Sequence, residues 1–393
     1  MSIEQLYDRI AAAASLEGED GAIRITATYE PSAGPGTKVS PPTYPTDNER
    51  TSPYERYPKG SDRKRPSPYV MEARIGHDGA TVRCALLDSR QSQANRCEEA
   101  LQEAIDDGRL SLPHLVLDLE THGEAVRITS LTAPHRSRDA YFRDALVEGG
   151  ERFDATPVGA SLAKGDLAAF YAHSPADLVF GVWDSHRQRR IQTRFPRFYT
   201  SELVGEGAIE GVRLAGRYDL LTGGAAKVTD SDLEWKLAEK GGVKVSAVGL
   251  GPIPPMPGPG GVTVQAIRRE ATIGFAGLAR LKVATGDAGR AARAALASVA
   301  LLADRLAFGR PALFLRSGCD LVLTGEKLSW VSRAGEEPFD LGVGDAVTLL
   351  ALAVERAGAH GLAWEPEPLR LTPMAKLQEI VDRVFLTSPS EGE

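Results

Sequence analysis

Hydrophobic and polar residues alternate over residues 22–29, where Ile23, Ile25 and Ala27 are separated by Arg24, Thr26 and Thr28, and this two-residue period predicts a half-buried strand. Residues 71–87 read as further strand. A helix opening at Ser92 carries Cys97, Leu101 and Ile105 at four-residue spacing and stops at Gly108. Residues 115–119 form a short buried strand, and 178–183 and 243–248 are further apolar runs. Residues 287–308 form an Ala-rich helix with Leu296, Val299, Ala303 and Leu306 on one face, closed by Gly309 and Pro311. Short strands are expected at 312–315, 321–323 and 328–331, then a helix at 345–357 stopped by Gly358 and a last helix near 374–385. Strands and helices mix without the steady alternation of a doubly wound sheet, which predicts an α+β fold.

Two stretches break this pattern. Residues 31–68 hold nine prolines, with Tyr44, Tyr54, Tyr57 and a basic cluster at Arg63, Lys64 and Arg65, a composition that cannot sit inside a central strand or helix. In residues 251–261, nine of eleven positions are Gly or Pro, which predicts a turn-rich arm. The 393 residues are read as one domain with insertions at about 31–68 and 249–262.

Charge narrows the function. Lys and Arg number 46 against 53 Asp and Glu, a formal net charge of −7, so bulk charge does not hold this chain to nucleic acid and any anion site must be local. Three cysteines with no C-x-x-C pair argue against a disulfide framework or a thiolate zinc site. No stretch approaches the apolar length of a membrane span, and residues 1–14 lack the basic start and apolar middle of a secretory signal. The expectation is a cytoplasmic protein with no membrane partner, no metal and no other cofactor.

The strongest local signal is HRQRRIQTRFPR, residues 186–197, with Arg187, Arg189, Arg190, Arg194 and Arg197, one His, one Phe and no acid. Guanidinium forks match phosphate oxygens, and guanidinium planes or Phe195 can stack on unpaired bases, so the segment suits single-stranded nucleic acid; a basic face paired with a neighbouring subunit is the alternative. A second candidate is DSRQSQANR, residues 88–96, at a helix start: a capping serine explains Ser89 or Ser92 but not Gln91, Gln93, Asn95 and Arg96 together. A third is the proline-broken loop TAPHRSRDA, residues 132–140, which presents His135, Arg136 and Arg138. One string has the look of an enzyme: LDLETHG, residues 117–123, resembles the first metal-binding motif of proofreading-type exonucleases, with Asp118 and Glu120 pointing one way from a strand. That chemistry needs further carboxylates, which the sequence does not supply in a matching motif, so the acids read first as the solvated face of an edge strand.

Taken in order, Pro41-Pro42-Thr43-Tyr44, DSRQSQANRCEEAL (88–101), TAPHRSRDA (132–140), FGVWDS (180–185) and RFPRFYTSELVG (194–205) resemble the successive motifs of one family, the RAMP-superfamily backbone subunit of the type I-G (earlier type I-U) CRISPR surveillance complex, a Cascade effector. The resemblance covers about residues 20–205. It implies an RRM-like (ferredoxin-type) palm with long insertions forming fingers and thumb. It also implies a non-catalytic protein that oligomerises along a guide crRNA, meets the target DNA strand through that guide, and contacts neighbouring copies of itself and other Cascade subunits. Carried onto this sequence, Arg90, Gln93, Asn95 and Arg96 border the guide, His135, Arg136 and Arg138 lie in a backbone-contacting loop, and Arg187, Arg189, Arg190, Arg194 and Arg197 line the groove. Trp183 is expected to pack rather than to stack. The competing reading is a metal-dependent RNA-processing or exonuclease-like enzyme using Asp118 and Glu120.

Overall fold

The alternation at residues 22–29 becomes the central strand of the molecule in a computed structural model, which describes residues 1–44, 67–76, 79–184, 193–217, 253–386 and three short strands within 227–244. The chain begins with α1 (Ile3–Ala13), β1 (Asp20–Pro31), β2 (Met71–Ile75), β3 (Thr81–Asp88), α2 (Arg90–Asp106), β4 (Leu115–Thr121) and β5 (Glu124–Thr129). It continues with β6 (Tyr199–Glu206), β7 (Ile209–Arg217), β8 (Ile253–Thr263), β9 (Ala266–Gly274), α3 (Gly286–Phe308), β10 (Ala312–Arg316), β11 (Cys319–Ser332), β12 (Gly335–Phe339), α4 (Val343–Ala359), β13 (Leu369–Pro373) and α5 (Ala375–Leu386). Three short helices, Pro157–Lys164, Leu167–His173 and Pro175–Phe180, lie between β5 and β6.

The main sheet runs β10-β11-β1-β9-β6-β3-β2, with β12 added to β11, and every pairing in it is antiparallel. Its four inner strands, β11-β1-β9-β6, follow the chain order strand, helix, strand, strand, helix, strand, because α2 lies in the connection from β1 to β6 and α3 in that from β9 to β11. Mixed α and β elements on mainly antiparallel sheets bear out the α+β expectation. One face of the sheet is closed by helices: Ile23, Ile25, Ala27 and Tyr29 of β1 and Ile267, Ala271 and Ile273 of β9 are buried there. α3 is buried along nearly its whole length, since its alanines let α2 and α4 pack close on either side. The opposite face carries charged and hydroxyl side chains, with Arg74 on Glu202 at 2.7 Å and Arg268 on Glu206 at 3.1 Å.

A second sheet, β5-β4-β13 extended by Ala145–Leu146, pairs β13 parallel to β4 and is covered by α5. One hydrophobic cluster joins side chains from both sheets, Ile25 and Leu117 among them.

Three local expectations change. The helix after β3 begins at Arg90, two residues before the expected opening at Ser92, because of the two candidate caps it is Ser89 that serves: its hydroxyl accepts from the Ser92 amide at 3.3 Å. The expected strand pieces at 321–323 and 328–331 are one strand, β11, that runs the length of β1 through a bulge between Thr28 and Tyr29. The Gly/Pro-rich segment is not a loose arm; most of it is β8, paired antiparallel with β7 in a two-stranded ribbon. Prolines are tolerated there because Pro257 and Pro259 pair with β7 on one edge only, the other edge of β8 being bridged to Val39 further along, at Val262. Most of the other insertion, 45–66, lies outside the described residues.

Candidate nucleic-acid interface

The start of α2 stands on a buried polar row that crosses the helix-covered face of the main sheet. Asp88, the last residue of β3, is fully buried and its carboxylate accepts from Gln93 Nε2 at 2.5 Å, Arg96 Nε at 2.9 Å and Arg316 Nη2 at 3.4 Å. Gln93 Oε1 in turn accepts from Ser201 Oγ at 2.8 Å and Arg269 Nε at 3.1 Å. Arg269 pairs with Asp304 of α3, which also accepts from the Tyr199 hydroxyl at 2.8 Å, and Arg305 bridges Asp304 at 2.5 Å to Glu326 at 2.6 Å. Burial pushes the Asp304 carboxyl up, but Arg269 and Arg305 outweigh it and hold the group at about 2. Arg96 finishes the row at the sheet edge, donating to the carbonyls of Phe314 at 3.3 Å and Leu315 at 3.0 Å.

A second cluster lies beside the helix. Glu98, almost fully buried, accepts both prongs of Arg136, Nε at 2.5 Å and Nη2 at 2.8 Å, and Arg136 Nη1 donates to the Gly181 carbonyl at 2.9 Å. Burial pushes the Glu98 carboxyl up to about 7 against the pull of Arg136, and the buried Asp177, which accepts from Ser137 and Ser174, is pushed up to about 6. Arg197 leans against this junction, with Nη1 3.4 Å from the carbonyl of Arg90. Burial lowers its pKa, and the nearby Arg136 and Arg90 guanidiniums lower it further. Among the described residues no carboxylate lies within ion-pair distance of Arg197. Arg194 sits over the Trp183 ring, 5.4 Å from its centroid.

These positions sort the expected site residues. Arg90, Asn95, His135 and Arg194 are exposed, and Arg96, Arg136 and Arg197 half-buried. Gln93 and Arg138 are buried, so the expectation that their side chains face a guide is corrected. Gln93 spends its amide on Asp88, Ser201 and Arg269, and Arg138 lies 3.2 Å from Asp184. Arg187, Arg189 and Arg190 lie outside the described residues. Trp183, expected to pack, is 52% exposed and serves as the platform for Arg194. Two residues escaped the sequence reading. Glu98 was hidden inside the helix pattern, although it directly follows the core position Cys97, and Gly181 was hidden inside an apolar run.

The enzyme-like string has a different environment. Asp118 accepts from Arg127 Nε at 2.8 Å and Arg370 Nη1 at 3.0 Å, which hold its carboxyl below the usual range and already balance its charge. Among the described residues, no group of three or more His, Cys, Asp or Glu is placed to hold a metal ion, and no helix is long and apolar enough to cross a membrane.

No curated protein matches this sequence. Residues 23–210, just under half of the chain and the part that holds β1, β3, α2, β6 and the arginine cluster, match the family model described as CRISPR-associated protein GSU0053, so that what this region resembles is a CRISPR-associated protein.

Proposed function

We propose that this chain is the crRNA-binding backbone subunit of a type I-G CRISPR Cascade complex, oligomerising along the guide in the cytoplasm and acting in antiviral DNA targeting without catalysing a reaction. The observation that carries the reading is the cation cluster at the start of α2. Burial, and then the nearby Arg136 and Arg90 guanidiniums, lower the pKa of Arg197, while Arg136 is matched by Glu98, Arg90 lies 3.4 Å from Glu202, and Arg194 is propped on Trp183. Arg197, with no carboxylate within ion-pair distance among the described residues, is satisfied by an anion with several oxygens, and a phosphodiester chain supplies them at regular spacing.

The order β11-β1-β9-β6 with helices in both crossovers supports an RRM-like (ferredoxin-type) palm. Its use differs from that of an RRM, whose open sheet face stacks bases on aromatic rings. The open face of these four strands carries Arg24, Thr26, Arg268, Glu270, Thr272, Glu202 and Lys327, and no aromatic among the described residues. The grip therefore falls on the backbone, independent of sequence, through Arg90, Asn95, His135, Arg194 and Arg197, with Arg187, Arg189 and Arg190 on the adjoining segment. The ribbon β7–β8, with Ile209, Val212 and Leu214 each about 70% exposed, offers an apolar surface to a neighbouring copy. Target DNA is then met through the guide, and other Cascade subunits close the ends of the filament.

The test is to purify the protein from cells that also express a matching CRISPR array and to sequence any nucleic acid that accompanies it. A high-mass assembly carrying one spacer-containing RNA is the expected outcome. An RNA-free chain, both alone and with its partner subunits, overturns the reading.

A further inference from the structure

We infer that Glu98 and Arg136 do not contact the ligand but are positioning residues for Arg197, acting through Gly181; this rests on the RNA-binding reading above. Arg136 directs three donors inward, two to Glu98 and one to the Gly181 carbonyl, and its charge is matched by a carboxylate that is 2% exposed. Its backbone is held at φ +54°, a left-handed conformation that a non-glycine residue adopts only when its surroundings impose it. The Gly181 turn, at φ +85°, touches the strand that delivers Arg197: a Cβ on residue 181 would lie 2.9 Å from both the Arg197 nitrogen and the Phe195 oxygen. Glu98 thus fixes Arg136 to α2, Arg136 fixes the Gly181 turn, and the bare turn lets the 195–197 backbone pass close enough for Arg197 to reach the Arg90 carbonyl. The same chain of contacts assigns Arg136 a spent charge, leaving Arg197 as the cation offered to phosphate beside Arg90, which lies 3.4 Å from Glu202.

The discriminating readout is the salt dependence of RNA affinity, because each phosphate contact on a single strand contributes a slope of about 0.7 in log K against log salt. The full chain is titrated with a mixed-sequence single-stranded RNA between about 50 and 200 mM salt. Arg136→Gln alone strands a buried carboxylate and is expected to weaken binding roughly tenfold or more. In the double variant Glu98→Gln with Arg136→Gln, two amides can bond side by side, and affinity returns to within about threefold of wild type with an unchanged slope. Gly181→Ala, which pushes the Arg197 backbone away, behaves like Arg197→Gln and flattens the slope by about 0.7. Thermal melting establishes that each variant is folded, and if Arg136→Gln is not, the double variant and Gly181→Ala carry the test. A double variant whose slope is flatter by about 0.7 makes Arg136 a phosphate contact and overturns the inference, as does Gly181→Ala with wild-type affinity and slope. A wild-type chain with no affinity for RNA at low salt overturns the functional reading itself and this inference with it.

Discussion

The buried polar row under the main sheet and the arginine cluster at the start of α2 are built from the same residue types, yet they resolve their charges in opposite ways. In the row, Arg269 and Arg305 share Asp304, Arg305 also holds Glu326, and Arg96 and Arg316 share Asp88, so each guanidinium has a carboxylate of its own fold. In the cluster, Glu98 satisfies Arg136, but Arg197 has a neighbouring carbonyl and Arg194 an aromatic ring. Charges that fold into the interior must find partners within the chain, because water is excluded and an unpaired charge there costs several kcal/mol. Charges at the edge can wait for a partner from outside. The contrast separates arginines that hold the molecule together from arginines that it offers.

The largest effect should come from breaking the row. Asp304→Ala leaves Arg269, Arg305 and the Tyr199 hydroxyl without their shared acceptor, and about 3–5 kcal/mol of stability is expected to disappear, read from the shift of the urea midpoint. The cluster should respond in the other currency: Arg194→Glu with Arg197→Glu leaves the urea midpoint nearly unchanged, weakens RNA binding alike for all sequences and flattens its salt slope by about 1.4. An unchanged slope removes this segment from the groove.

Acidity sharpens the boundary between the two regions. Glu98 binds its proton more tightly in the folded chain, at about 7 against 4.5 in the unfolded chain, so its contribution is most favourable below pH 4.5 and is lost as pH rises through 7. Asp304 has the opposite sign: its folded value is depressed to about 2, so its contribution is present above 3.8 and lost as pH falls through 2. Glu98→Gln is therefore expected to reduce the fall in melting temperature between pH 4.5 and 7, leaving the part that Asp177 contributes as pH rises through 6, with the acid limb in place; a melting profile parallel to wild type contradicts this. A smaller loss, about 1 kcal/mol, follows from Ser89→Ala at the cap that joins row to cluster. The smallest is Asp118→Ala, whose partners are solvent-exposed: less than about 1 kcal/mol is expected, with no change in the survival of RNA incubated with Mg²⁺. A Mg²⁺-dependent loss of RNA that this variant abolishes would return the metal reading to contention.

Much of the fold was legible because periodicity survives without context. The alternation of β1 and the four-residue spacing of α2 each specify an element locally, whereas α4 runs through the expected stop at Gly358 to Ala359. The arginine segment was legible as chemistry, since its composition differs so sharply from that of an acidic chain. The polar row was not, because Gln93, Arg269 and Asp304 have the residue types of a surface. Their periodicity could have exposed them: Gln93 lies one turn before Cys97 and two before Leu101, and Arg269 alternates with Ile267, Ala271 and Ile273. Polarity misled where spacing was the truer guide. The pairing of β8 was hidden for the converse reason, since a dense run of prolines argues against a strand unless one edge of that strand is known to be free.

That free edge has a consequence for keeping the protein in solution. Pro257 and Pro259 stand opposite Leu214 and Val212, and a proline can occupy a paired position only where its nitrogen points away from the partner strand. At residues 257 and 259 the outer edge of β8 thus lacks the N–H groups that would template a further strand from a stray chain. Ile209, Val212 and Leu214 can therefore stay exposed on β7 while that stretch of the neighbouring β8 edge is closed to strand addition.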